Sequence, residues 1–247
     1  MGRLLRRLPV VLAASTVLLQ VAYPLVHGHP RDVLTVLTVC LFFLASALHA
    51  ATTRGAGWAL AFVLVTTTTG LVAEAVGVAT GVPFGDYRYS HTLGWQVLDV
   101  PVVIPLAWAM FAYPSYVVGQ RLGRGRVTSA LVGAIALASW DLFLDPQMVA
   151  AGHWRWLHIR VTVPGVAHVP LSNFLGWALV AIFLLCLLQV LPRRVVDDRV
   201  PAALFSWTYL SSVLANLAFF GRPGVALVGG VGMGVVALPH LRSTGSP

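Results

Sequence analysis

The chain has 247 residues, of which 58% are hydrophobic and 10% charged; soluble domains average roughly half and about a quarter. Its apolar residues fall in runs of about 20, the length that crosses a bilayer, so no room remains for a separate soluble domain. The formal charge of +8 does not indicate nucleic acid, because all sixteen basic residues are arginines set in small groups between apolar runs, as membrane-flanking charges are.

These features predict an all-α protein, a polytopic membrane helix bundle forming one integral-membrane domain over 1–247 in the cell (plasma) membrane. Spans are expected at about 8–26, 33–52, 57–79, 100–119, 127–145, 171–191, 202–220 and 224–240. The first follows Arg3, Arg6 and Arg7 but is too long for a signal-peptide core and lacks a good cleavage site, so it reads as a retained span. The last is rich in glycine, a weak helix former that membrane helices nonetheless tolerate; without it the count is seven. With the N-terminus inside, eleven arginines fall on the inner side and five (Arg31, Arg88, Arg155, Arg160, Arg222) on the outer side. That split favours eight spans with both termini cytoplasmic.

This topology places the two longest connections, about 80–99 and 146–170, on the outer face together with the unusual polar residues. Within the third span the threonines Thr66–Thr69 are expected to bond backward along their own helix. Glu74 lies near the outer end of that span. Asp141 and Asp145 lie one helical turn apart at the end of the fifth. A carboxylate in a bilayer costs about 2.5–3.5 kcal/mol on insertion scales, so it calls for a partner or a function. Two carboxyl groups at i and i+4 are neighbours and tend to share a proton, which suits proton donation to a carbon–carbon double bond. The bland alternative has Asp145, just before Pro146, ending its helix among headgroups.

Phe84-Gly85-Asp86-Tyr87-Arg88-Tyr89-Ser90 carries a turn signal but also brings Asp86 and two phenols to the same face, and Arg88 is placed to pair with Asp86 or Glu74. Gly152-His153-Trp154-Arg155-Trp156 either lies flat at the interface or forms an aromatic wall over an apolar or cationic ligand. His153, His158 and His168 lack metal-ligand spacing, so no metal site is expected. Ser172 or Asn173 is expected to cap the sixth span after Pro170, and Asn173 is also a candidate for holding a water. Trp108, Trp140 and Trp177 read singly as ordinary aromatics. Cys40 and Cys186 lie inside apolar runs and read as small buried residues.

Taken together, Phe84-Gly85-Asp86-Tyr87, Ile104-Pro105-Leu106-Ala107-Trp108, Trp140-Asp141-Leu142-Phe143-Leu144-Asp145-Pro146-Gln147-Met148, Gly152 with Trp154 and Trp156, and Pro170-Leu171-Ser172-Asn173-Phe174-Leu175-Gly176-Trp177 resemble the CruF-type carotenoid hydratases, a family that includes the bisanhydrobacterioruberin hydratases. The resemblance covers about residues 70–180. It departs at Val166-Ala167-His168-Val169, where a glycine- or aromatic-rich approach is expected. It implies hydration of the terminal 1,2 double bond of an acyclic carotenoid lying within the bilayer, with no cofactor and with other carotenoid-biosynthesis enzymes as possible partners. The residues supply matching chemistry: Asp141 as the acid, Asp145 or Glu74 as the base that orients water, Asp86 as a further carboxylate, and Tyr87, Tyr89, Trp108, Trp140, Trp154, Trp156 and Asn173 around the substrate. Two other readings share these features. A carotenoid end-group cyclase or isomerase would protonate in the same way without capturing water. A non-enzymatic carrier or assembly partner would use the acids as a proton relay.

Overall fold

The computed structural model describes residues 2–245, and the protein is an all-α membrane helix bundle. Its helices are α1 (Gly2–Ala22), α2 (His29–Arg54), α3 (Ala56–Thr80), α4 (Val103–Leu122), α5 (Arg126–Ala150), α6 (Leu171–Leu188), α7 (Arg199–Ala218) and α8 (Pro223–Gly245). A single 3-10 turn, Tyr23–Leu25, follows α1. The helix boundaries follow local chemistry. Pro30 and Pro223 sit in the first turns of α2 and α8, where a missing N–H costs nothing. Gly55, at φ +94°, makes the sharp break between α2 and α3, and Gly81, at φ +75°, ends α3 in the left-handed conformation. The Thr128 side chain closes the start of α5 by accepting from the Gly125 N–H at 2.9 Å.

The fifth span reaches further than expected. α5 continues through Pro146 to Ala150 rather than ending at Asp145, because a proline removes one backbone bond and neighbours can satisfy the group it frees. The glycine-rich last segment is helical throughout. Its glycines admit neighbours: a methyl group on Gly229 would meet the Phe143 ring at 2.6 Å.

Among the described residues, six helices are long and apolar enough to cross a membrane by length and composition; α4 and α7 are the exceptions. Their positions explain why. α4 packs against α2, α3, α5 and α7 and is buried from Phe111 through Gly119, so it faces protein rather than lipid and accommodates Tyr113, Ser115 and Tyr116. α7 carries Thr208, Ser211 and Ser212 on the wall of an internal cavity.

Two short antiparallel ribbons join the helices outside the bundle. β1 (Tyr87–Tyr89) pairs with β4 (Trp154–Trp156), opposing Tyr87 to Trp156, Arg88 to Arg155 and Tyr89 to Trp154. β2 (Gln96–Val97) and β3 (Val100–Pro101) form a tight hairpin whose central residues, Leu98 and Asp99, both have positive φ. The first ribbon ties the two long connections to each other. At the opposite end of the bundle, Arg54 grips Asp198 through two 2.8 Å bonds and donates to the Tyr113 hydroxyl at 2.9 Å, fixing the segment before α7 to α2 and α4.

Candidate functional site

Three carboxylates converge beneath the β1–β4 ribbon. Glu74 comes from α3 and Asp141 and Asp145 from α5; their residues are 4%, 0% and 2% exposed. The two-residue period of a strand sends alternate side chains to opposite sides. Tyr87, Trp154 and Trp156 therefore turn inward and bury, with Tyr89 half-buried beside them, while Arg88 and Arg155 face out.

Glu74 accepts three hydrogen bonds: from the Tyr87 hydroxyl at 2.5 Å, the Tyr89 hydroxyl at 2.7 Å and the Trp108 indole N–H at 2.9 Å. Burial first, and then the Glu74 carboxylate, push the pKa of both phenols up, so they remain donors. The Asp pair is bridged by one side chain. The Asn173 amide donates to Asp141 Oδ2 at 2.7 Å and also to Asp145 Oδ2, and the Trp154 indole donates to Asp145 Oδ1 at 3.1 Å. Asp141 Oδ1 is buried without a hydrogen-bond partner among the described residues.

Asp145, Glu74 and Asn173 line a cavity of about 170 Å³ walled by Tyr87, Tyr89, Trp108, Trp140, Trp154 and Trp156, with Trp177, Met110 and Phe143 deeper in. Trp108 and Trp177 stack with centroids 4.0 Å apart, and Trp140 meets Trp177 edge-on at 6.1 Å. Among the described residues no arginine pairs with these three acids.

Most of the expected site residues are thus brought together, with instructive differences. Asp141 stands behind Asp145 and does not line the cavity. Asp86 lies outside: half-exposed, it bonds His158 at 2.9 Å. Arg88 pairs with neither Asp86 nor Glu74, since its strand position points it outward. Neither Ser172 nor Asn173 caps α6; Pro170 occupies the cap without a side-chain bond, and Asn173 is turned toward α5 instead. Asp145 is buried in the site rather than among headgroups. The loop where the family pattern departs is packed by Val166 and Val169, 1% and 0% exposed, with His168 between them at φ +64°.

The sequence reading missed the part of the cavity wall formed by Gln20, Tyr23, Thr35, Thr38, Ser211 and Ser212. These residues come from α1, the following turn, α2 and α7, and none carries a local signal. It also missed two glycines that let the aromatics reach Glu74. A methyl group on Gly70 would meet Trp108 at 2.9 Å, and one on Gly77 would meet the Tyr87 hydroxyl at 2.9 Å.

No solved structure matches the chain. Over 111 residues it is 33% identical to the bisanhydrobacterioruberin hydratase of Haloarcula japonica, an alignment covering 43% of this chain and 36% of that protein. The match thus spans about a third of the relative's length. The family model described as "Carotenoid biosynthesis protein" matches residues 34–238, nearly the whole bundle and all three buried carboxylates, and the chain belongs to that family.

Proposed function

We propose that this protein is a carotenoid hydratase that adds water across the terminal 1,2 double bond of an acyclic carotenoid. The observation that carries the reading is the placement of buried, unpaired carboxyl groups on the wall of an aromatic cavity, where a hydrocarbon end group fits and a proton donor faces it. Family membership and the partial match to a hydratase support it.

The site residues have separable roles in this reading. Two adjacent carboxyls with no cation beside them are relieved when they hold one proton between them. Asp145, the member that lines the cavity, delivers that proton to C2, with Asp141 as its proton-sharing partner and Asn173 holding the two in register. The π electrons of the C1–C2 bond form the new C2–H bond and leave a tertiary cation at C1. Glu74, already accepting three hydrogen bonds, supplies counter-charge, and the faces of Trp140 and Trp154 add cation–π stabilisation. A water oxygen then bonds to C1, and its surplus proton returns to the Asp pair. Atoms and charge balance, the enzyme regains its starting state, and the reaction requires no redox step or cofactor.

The substrate lies within the bilayer and reaches the site at the outer face, both termini being cytoplasmic. The assignment changes the acid expected from sequence from Asp141 to Asp145, because of the two aspartates only Asp145 borders the cavity.

The test is expression in a bacterial host that accumulates an acyclic carotenoid, with pigments resolved by chromatography and mass spectrometry. A product heavier by one water, lost in Asp145→Asn and Glu74→Gln, is expected. An equal-mass cyclic product would establish a cyclase instead. Full activity of Asp145→Asn in inserted protein would falsify the proton-donor assignment.

A further inference from the structure

Elsewhere on the cavity wall, four side chains form a continuous series of contacts. The Arg31 guanidinium lies over the Tyr23 ring, 5.3 Å from its centroid. Tyr23 meets Phe220 edge-on at 6.3 Å, and the Arg222 guanidinium lies over Phe220, again at 5.3 Å. The members come from the turn after α1, the first turn of α2, and the link between α7 and α8; Tyr23 and Phe220 also line the cavity.

Two polar groups of this cluster are buried without a hydrogen-bond partner. Tyr23 is 7% exposed, yet its hydroxyl has no partner. Arg222 Nη1 is likewise buried without one. Arg31 donates through Nε to the Val26 carbonyl at 2.5 Å. Among the described residues, neither guanidinium pairs with a carboxylate. Asp32, next in sequence to Arg31, instead faces His29 and His153, each at 3.9 Å. Burial first, and Arg31's like charge in addition, push the Arg222 pKa down despite the opposing influence of Tyr23. Two uncompensated cations and an unbonded phenol in partial burial are unfavourable unless an anion joins them. Paired guanidinium forks suit the oxygens of a phosphate better than a single carboxylate does.

We propose that Arg31, Arg222 and Tyr23 form a phosphate-binding site, with the two guanidiniums and the phenolic hydroxyl donating to phosphate oxygens. A lipid headgroup and free inorganic phosphate share this chemistry. The lipid source fits the surroundings better: Leu18 and Val21 of α1 and Leu210, Leu214 and Leu217 of α7 are exposed and offer acyl chains an apolar track beside the site.

The site can be tested without any assay of hydration, so its fate is independent of the proposed activity. Purified protein in neutral detergent would be examined by native mass spectrometry with dioleoyl phosphatidylglycerol, and with dioleoylglycerol, which has the same chains and no phosphate. Inorganic phosphate would be tested separately by thermal shift. Wild type is expected to retain phosphatidylglycerol at least tenfold more strongly than dioleoylglycerol. The Arg31→Gln/Arg222→Gln double variant should lose that preference, and Tyr23→Phe should weaken it severalfold. An Arg31→Lys/Arg222→Lys variant keeps the charges but not the forks, guards against misfolding, and should bind with intermediate strength. A thermal shift with inorganic phosphate in wild type but not in the Gln variant would identify the free ion as the ligand of the same site. Equal phosphatidylglycerol retention by wild type and the Gln variant, or equal retention of the two lipids by wild type, would overturn the proposal.

Discussion

Asn173 concentrates several demands in one side chain. Its single amide reaches both Asp141 and Asp145, and no other described side chain donates to Asp141. Asn173→Ala is expected to lower turnover by about 10²-fold, the lower end of what a positioned acid contributes, while the protein remains monodisperse on size-exclusion chromatography; unchanged turnover would remove Asn173 from the site. His153 gives a different kind of prediction. It is fully buried and shares a 2.8 Å hydrogen bond with Thr92, and burial pushes its pKa down despite the raising influence of Asp32. The folded state therefore prefers the neutral ring. Its contribution to stability is complete above the unfolded value of about 6.5 and declines as pH falls through that value toward the lower folded one. The thermal midpoint should drop over that acid window, and the drop should be shallower in His153→Gln. Sequence spacing was sufficient to pair the two aspartates. It could not tell which one borders the cavity, because that depends on the direction of α5 relative to α4 and α6.

At the level of elements, the β1–β4 ribbon is what turns two loops into a wall. Its strand alternation places three buried aromatics and Tyr89 over the carboxylates and two arginines outside. Neither strand was foreseen. A three-residue strand has too few positions to show a period, and its partner lies more than sixty residues away. The helices beneath depend on close approach. Gly77→Ala is expected to displace the Tyr87 hydroxyl and the Phe84 ring, the latter 2.8 Å from the added methyl, at a cost of about 1–3 kcal/mol from overpacking. Activity should fall with a thermal midpoint lowered accordingly, whereas Gly57→Ala, facing open space, should change neither. Apolar runs marked all eight described helices, including α4 and α7, whose polar residues keep them below the hydropathy of the other six. The boundary error at α5 came from reading Pro146 as a stop, which holds in water but less strictly where neighbouring helices satisfy the freed backbone.

For the whole molecule, arginine distribution makes a prediction that the helix packing leaves open. In a background with Cys40 and Cys186 replaced, Trp95→Cys should react with a membrane-impermeant maleimide in intact cells, and Arg124→Cys only after lysis; the reverse pattern would invert the proposed orientation. Trp95 suits the purpose, being 90% exposed on the loop before β2. The fold class and the carboxylate wall of the cavity were legible because buried charge stands out in an apolar chain. The wall formed by Tyr23, Thr38 and Ser211 was not, since these are ordinary residues in membrane helices and only assembly of α1, α2 and α7 brings them together.

The stacking of Trp108 on Trp177 beside Trp140 has an optical consequence. Five of the eight tryptophans border the cavity, so most of the intrinsic fluorescence originates within a few ångströms of any molecule held there. A conjugated polyene in contact with these rings has low-lying excited states that accept their excitation and would quench that light on arrival. Occupancy of the cavity should therefore be visible in the unlabelled protein as a loss of emission, before any bond is made or broken.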